Sequence, residues 1–185
     1  FSQSSPPDND TCQTPLAIDL SEGPVVLSGT TEDVMGKTSA TDASQTETCG
    51  GAEGADVVYK ITLDERALIN AALTAPFEAR MYLRSAECAG GEVVYCAQDE
   101  MQTTPLEPGD YFLFVDSDTS TQKGNFALAV SLTPAALPNN NTCETAQALP
   151  IGQQGTATAS GSNLYALNNY TSWCDPVGTG AEVLY

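Results

Sequence analysis

The residues best suited to chemistry are carboxylates. Asp116 and Asp118 alternate in "VDSDTSTQKG", directly after an apolar run. Alternating carboxylates on a loop, with backbone carbonyls beside them, suit a hard cation that seeks oxygen, such as Ca²⁺. Glu78 in "PFEAR" and Asp56 in "GADVVY" are candidates to join them. One Ca²⁺ per complete unit is therefore expected, although the spacing is not that of an EF-hand loop. Asp99 and Glu100 in "CAQDE" form a second, weaker pair. The competing reading makes all of these turn residues that bond their own backbone.

The chain has no histidine. A Ser-His-Asp triad, a Cys-His nucleophile, His-ligated zinc and imidazole acid–base chemistry are thereby excluded. Two carboxylates at a suitable separation are the makings of a glycosidase. Nothing marks one of them as a raised-pKa acid, so no catalysis is expected.

Acidic residues number 24 against 6 basic ones, for a net charge of −18. That balance repels phosphate backbones and anionic lipid, which argues against nucleic acid as a partner. No apolar run approaches the roughly 20 residues of a membrane helix, so no membrane insertion is expected. No signal peptide is visible, and residues 1–6 read as a flexible N-terminus.

The six cysteines are Cys12, Cys49, Cys88, Cys96, Cys143 and Cys174. An even count without a C-x-x-C motif points to disulfides and an extracellular or cell-surface protein.

The chain repeats itself. "PDNDTC" (7–12) returns as "PNNNTC" (138–143), and "TETCGGAEGADVVY" (46–59) as "TSWCDPVGTGAEVLY" (171–185). Cys12 aligns with Cys143, Cys49 with Cys174, Asp56 with Glu182 and Tyr59 with Tyr185. These pairs set a period of 125 to 131 residues, the size of a domain. The expected organisation is a complete unit over 7–132, a linker over 133–137 and an incomplete second unit over 138–185. Many connectivities are open to six cysteines. If each unit carries an equivalent bridge, the pairs are Cys12–Cys49 and Cys143–Cys174, which leaves Cys88–Cys96 to close "CAGGEVVYC".

The elements that must position these residues read as short strands between Gly, Pro, Asp and Asn. "PVVLSG" (24–29) and "EVVYCA" (92–97) are two. "ADVVYKITLD" (55–64) puts Val57, Tyr59, Ile61 and Leu63 on one face, with the period of a half-buried strand. "ALINAALTA" (67–75) turns Ile69, Ala71 and Leu73 inward. "ARMYLRS" (79–85) sets Met81 and Leu83 against Arg80, Tyr82 and Arg84. After the Pro108-Gly109 turn, Tyr111, Leu113 and Val115 face one way, Phe112 and Phe114 the other. "NFALAVSL" (125–132) turns Phe126, Leu128, Val130 and Leu132 inward. The closing "TGAEVLY" (179–185) reads as a further strand. About eight short strands make an all-β fold, an antiparallel β-sandwich.

"NDTC" (9–12), "GADVVY" (54–59), "FEARMYLRS" (77–85), "CAQD" (96–99), "LEPGDYFLFVD" (106–116) and "GNFALAV" (124–130) together resemble bacterial pre-peptidase C-terminal domains. The resemblance covers 7–132 and part of 138–185. It implies a jelly-roll-like sandwich, distantly similar to CUB domains, in which an acidic set gathers near one end. It also implies a non-catalytic appendage of a secreted protein, used in adhesion, substrate binding or secretion.

Three sequons, at Asn9, Asn140 and Asn169, are candidate glycan acceptors, Asn9 and Asn140 at equivalent repeat positions. Trp173, the only tryptophan, and Tyr185 are candidate interface residues; packing of Trp173 on a bridge is the plainer reading. Strands left open at 138–185 need completing by a neighbouring subunit or by a continuing chain. The functional expectation is thus a structural or adhesive protein that assembles head to tail with itself. The alternative is a module of a secreted hydrolase that binds polysaccharide or another substrate.

Overall fold

The computed structural model describes residues 7–32, 49, 54–119, 121–153, 155–170 and 180–185. The chain separates into two units, Phe1–Pro134 and Ala135–Tyr185. The expectations for 1–6, Trp173 and Cys174 lie outside the described residues, as does most of the Ser/Thr-rich stretch between Thr30 and Asp56.

The described residues of unit one form an all-β sandwich of nine strands: β1 (Leu16–Ala17), β2 (Val25–Thr30), β3 (Asp56–Leu63), β4 (Ala67–Thr74), β5 (Ala79–Ser85), β6 (Val93–Ala97), β7 (Glu100–Gln102), β8 (Gly109–Ser117) and β9 (Asn125–Pro134). One sheet has the order β1-β3-β8-β5-β6, the other β2-β9-β4-β7. Every pair is antiparallel except β1–β3, which is parallel with Leu16 opposite Tyr59. The chain reaches β3 from β1 by way of β2 in the opposite sheet, and such a crossover delivers a strand in the same direction. β7 was not expected. Glu100 lies in it, opposite Ala72, while Asp99 stands in the bend just before it.

The inward faces are those the period of two picks out. Val57, Tyr59, Ile61 and Leu63 meet Ile69, Ala71, Leu73, Met81, Leu83, Tyr111, Leu113, Val115, Phe126, Leu128 and Val130 in one core. β9 continues through Pro134, two residues into the stretch read as linker.

The five-stranded sheet is buried on its outer face too. Val58, Tyr82, Phe112 and Phe114 form a second cluster there with Cys49 and Cys88, and Cys12 and Val93 pack against it. Tyr82 stacks on Phe114, opposite it in the ladder, with centroids 4.6 Å apart and planes 6° from parallel. The Arg84 guanidinium carbon lies 5.6 Å from the Tyr82 ring centre and 5.5 Å from that of Phe114. Its Nη1 donates to the Cys88 carbonyl at 3.2 Å. Arg84 is fully buried, because the rings and that carbonyl replace water around its charge.

Two disulfides hold the roof of this layer, Cys12–Cys88 and Cys49–Cys96. The expected Cys12–Cys49 and Cys88–Cys96 pairs are corrected. Cys96 stands opposite Tyr82, well up the β5–β6 ladder, while Cys88 lies beyond Arg84, past the end of β5. Cys88 thus sits in the connection between β5 and β6, and Cys96 within the ladder. Each hairpin cysteine is instead bonded to a cysteine far away in sequence, Cys88 to Cys12 and Cys96 to Cys49.

In unit two, the described residues hold a 3-10 turn at Cys143–Thr145 and no strand. The expected strand over 179–185 is corrected for its described part, 180–185. Among the described residues, residues 182 and 184 of this extended segment bond backbone on one edge, while Ala181 O, on the other, accepts from Asn163 Nδ2 at 3.0 Å. Leu184 N donates to Asn140 O at 2.8 Å and Glu182 N to Leu167 O at 3.3 Å, while Leu184 O accepts from Gln147 N at 3.0 Å.

Candidate functional site

The acidic end of the five-stranded sheet is built by β3, β5 and β8. Asp56 stands directly opposite Asp116, and Asp116 opposite Arg80, so the three share the outer face that carries Val58, Phe114 and Tyr82. Both aspartates are buried. The Tyr82 hydroxyl donates to Asp56 Oδ2 at 3.4 Å. Gly54 lies close above them: a Cβ there would run into the Ser117 carbonyl and the Asp116 carboxylate.

The other two residues of the expected cation set point to different tasks. Asp118 Oδ1 takes the Arg80 Nε–H at 2.9 Å. The Glu78 carbonyl accepts Asp118 N at 3.1 Å, and its Oε2 accepts the Gln122 amide at 3.4 Å. The structure thus brings Asp56 to Asp116, and sets Asp118 against an arginine. Among the described residues, no group of three or more carboxylates and thiols is placed to hold a metal ion.

Lys60 and Arg66 are committed in the same way. Lys60 Nζ lies 2.8 Å from Asp110 Oδ2, and Arg66 Nε 2.9 Å from Glu107 Oε1. The Lys60 contact, then the Thr62 hydroxyl at 2.7 Å, hold the Asp110 carboxyl below its ordinary range. Burial pushes Asp10 and Tyr59 up.

The four-stranded sheet has an open outer face. Val26, Ala129, Ala72 and Glu100 run across it in one row, Ser131, Asn70 and Gln102 in the next. Val26 is 75 % exposed. Gln102 donates to Asn70 Oδ1 at 2.8 Å, and Asn70 to Thr133 Oγ1 at 3.0 Å, forming a polar ladder beside a strip of small side chains. Sequence reasoning passed over this face because alternation labels it only as solvated.

The asparagines of the sequons give the sharpest geometry. Asn9 O accepts Val58 N at 2.9 Å, and Asn9 Nδ2 donates back to Val58 O at 3.2 Å. In unit two, Asn140 O accepts Leu184 N at 2.8 Å, and Asn140 Nδ2 donates to Leu184 O at 3.1 Å. Asn9 and Asn140, and Val58 and Leu184, are the pairs that the repeat aligns. Gln147, at the place of Leu16, bonds the same carbonyl of Leu184. Asn169 Nδ2 donates to Asn141 O at 2.8 Å. All three sequon amides therefore bond backbone through the nitrogen that would carry an N-linked sugar, so clamp and glycan compete. Asn9 is 8 % exposed.

Cys143 is exposed and has no disulfide partner among the described residues. Its N–H donates to the Tyr170 hydroxyl at 2.8 Å. Tyr185 is half-exposed, and its hydroxyl lies where a side chain on residue 161 would begin.

No family model matches the chain, and no curated protein matches it. Solved structures similar to it include three β-sandwich proteins. One is PliG of Aeromonas hydrophila, a periplasmic inhibitor of g-type lysozyme, at 11 % identity and a TM-score of 0.46, over 64 % of this chain and 95 % of that one. Another is the pre-peptidase C-terminal domain of a collagenase from Bacillus anthracis, at 14 % and 0.41, over 64 % and 93 %. The third is the Salmonella Typhimurium PliG, at 11 % and 0.40, over 64 % and 97 %.

Proposed function

We propose that the chain is a non-catalytic, extracellular structural or adhesive protein made of tandem β-sandwich units. In this reading, units join head to tail, and the second is completed by a neighbouring subunit or by further chain. The observation that carries it is the asparagine clamp. Asn9 on Val58 and Asn140 on Leu184 make the same two bonds in the same directions. In unit one, the far edge of β3 is taken by β8; the corresponding edge of 181–185 is where a partner strand would add. Two disulfides support an oxidising compartment. Electron microscopy of the assembled protein tests the proposal. Filaments are expected, and dispersed monomers whose 138–185 region is cut readily by protease would overturn it.

Calcium belongs to this reading at the Asp56–Asp116 end. Calorimetry on chelated protein decides it: heat on addition with a raised melting temperature supports it, and neither effect removes it. The alternative, a polysaccharide-binding accessory module, is favoured by the polar ladder of Gln102, Asn70 and Thr133 on the open sheet. It calls for monomers that bind glycan through that face.

A further inference from the structure

We infer that the edge of β3 left open beyond β1 docks a short extended segment of a partner protein, one that carries lysine or arginine next to apolar side chains. The site lies wholly within unit one and does not depend on the fibre reading.

β1 covers only part of the edge of β3. It ends at Ala17, opposite Lys60, while β3 runs on to Leu63. Among the described residues, the last backbone bond along that edge is Ile18 N to Lys60 O, at 2.9 Å. Backbone groups alternate between the two edges of a strand, so Thr62, two residues on, turns its N–H and C=O to the same side. An uncovered edge of this kind is the template to which an extended peptide adds.

A cleft of about 540 Å³ opens at this edge, and Thr62 lines it. Ile18, Leu20, Ala67 and Leu132 give it an apolar wall; Ile18 and Ala67 belong to the core, and the two leucines pack against it. The chain crosses here from one sheet to the other twice, after β1 and again through residues 64–66. Those crossings put Asp19, Asp64 and Glu65 on the rim, all exposed. Ser21 N donates to Asp19 Oδ1 at 3.0 Å, which holds that carboxyl below its ordinary range. The two cations of the lining, Lys60 and Arg66, are each held by a carboxylate outside it, Asp110 and Glu107. The charge offered to a ligand is therefore negative. A lysine or arginine fits by laying its methylene stem along the wall and keeping its head at the rim. A second copy of this chain, with its net charge of −18, is the wrong partner for the same rim.

The test uses the full chain at low salt and a labelled, acetylated pentapeptide of alternating lysine and valine. Fluorescence anisotropy reads binding, and amide hydrogen exchange locates it. The expected result is saturable binding that slows exchange at Thr62. A pentapeptide of alternating glutamate and valine should not bind, and methylation of the lysine peptide's backbone nitrogens should abolish binding. The Asp64→Asn, Glu65→Gln variant, changed only at exposed turn residues, should bind the lysine peptide about fivefold more weakly. No binding, equal binding of the methylated peptide, or binding that leaves Thr62 exchange unchanged overturns the inference. Dispersed monomers by microscopy that still bind the peptide at Thr62 sink the fibre and leave this site standing.

Discussion

The two asparagine clamps have the same bonds and different surroundings. Around Asn9 the clamped strand is β3, gripped by β8 on its other edge, with aromatic rings beneath it and a disulfide at the end of the turn. Around Asn140 the clamped segment has no ladder, and the cysteine of its turn has no partner among the described residues. The difference teaches that the local motif is independent of the sheet. A turn of the N-x-x-C kind captures an extended segment by two hydrogen bonds. Worth about 1 kcal/mol each, these do not hold a strand without the apolar burial that a paired sheet supplies.

Changes that remove the surroundings should therefore hurt unit one most. Phe114→Ala empties the centre of the roofed layer and takes the stacking partner from both Tyr82 and Arg84. It should lower the stability of unit one by about 3–5 kcal/mol in denaturant unfolding. The Cys12→Ser, Cys88→Ser pair frees a loop spanning 76 residues and should cost about 2–4 kcal/mol. The same loss should follow from selective reduction. Next comes the direct comparison of clamps. Asn9→Ala leaves the buried Val58 carbonyl without that donor and should cost about 1–3 kcal/mol in the main transition. Asn140→Ala should leave that transition within about 0.5 kcal/mol of the parent; a loss equal to that of Asn9→Ala would break the distinction. The smallest effect is at the surface pair of Lys60 and Asp110. The folded-state pKa of Asp110 is depressed, so its stabilisation is present above the ordinary aspartate range and disappears as pH falls through the folded value. Asp110→Asn should cost about 0.5 kcal/mol near neutral pH, and the two proteins should converge in acid melts.

Much of this was legible in the residues. Alternation in 55–64, 67–75, 79–85, 110–116 and 125–132 gives the inner core correctly, because one buried face is what a period of two encodes. The outer layer was hidden by the same rule. Arg84 and Tyr82 fall on the face opposite Met81 and Leu83, yet Cys12 and Cys49, far away in sequence, join the cluster that buries it. One signal did point there: "YFLFV" is apolar on both faces, the mark of a strand buried on both sides. The disulfide pairing could not follow from the repeat alone, since equivalence of positions says nothing about which positions meet. The acidic set was half legible. Asp56 and Asp116 come together through the β3–β8 register, while Asp118 answers to Arg80, a residue that pattern reading left facing solvent.

The most direct measurement of the central claim, that the chain carries one opening motif twice, is amide hydrogen exchange at Val58 and Leu184 in the parent, Asn9→Ala and Asn140→Ala proteins. Both amides should be protected in the parent, with Leu184 released by Asn140→Ala alone and Val58 accelerated by Asn9→Ala. A Leu184 amide that exchanges freely in the parent, or that ignores the loss of Asn140, would contradict it.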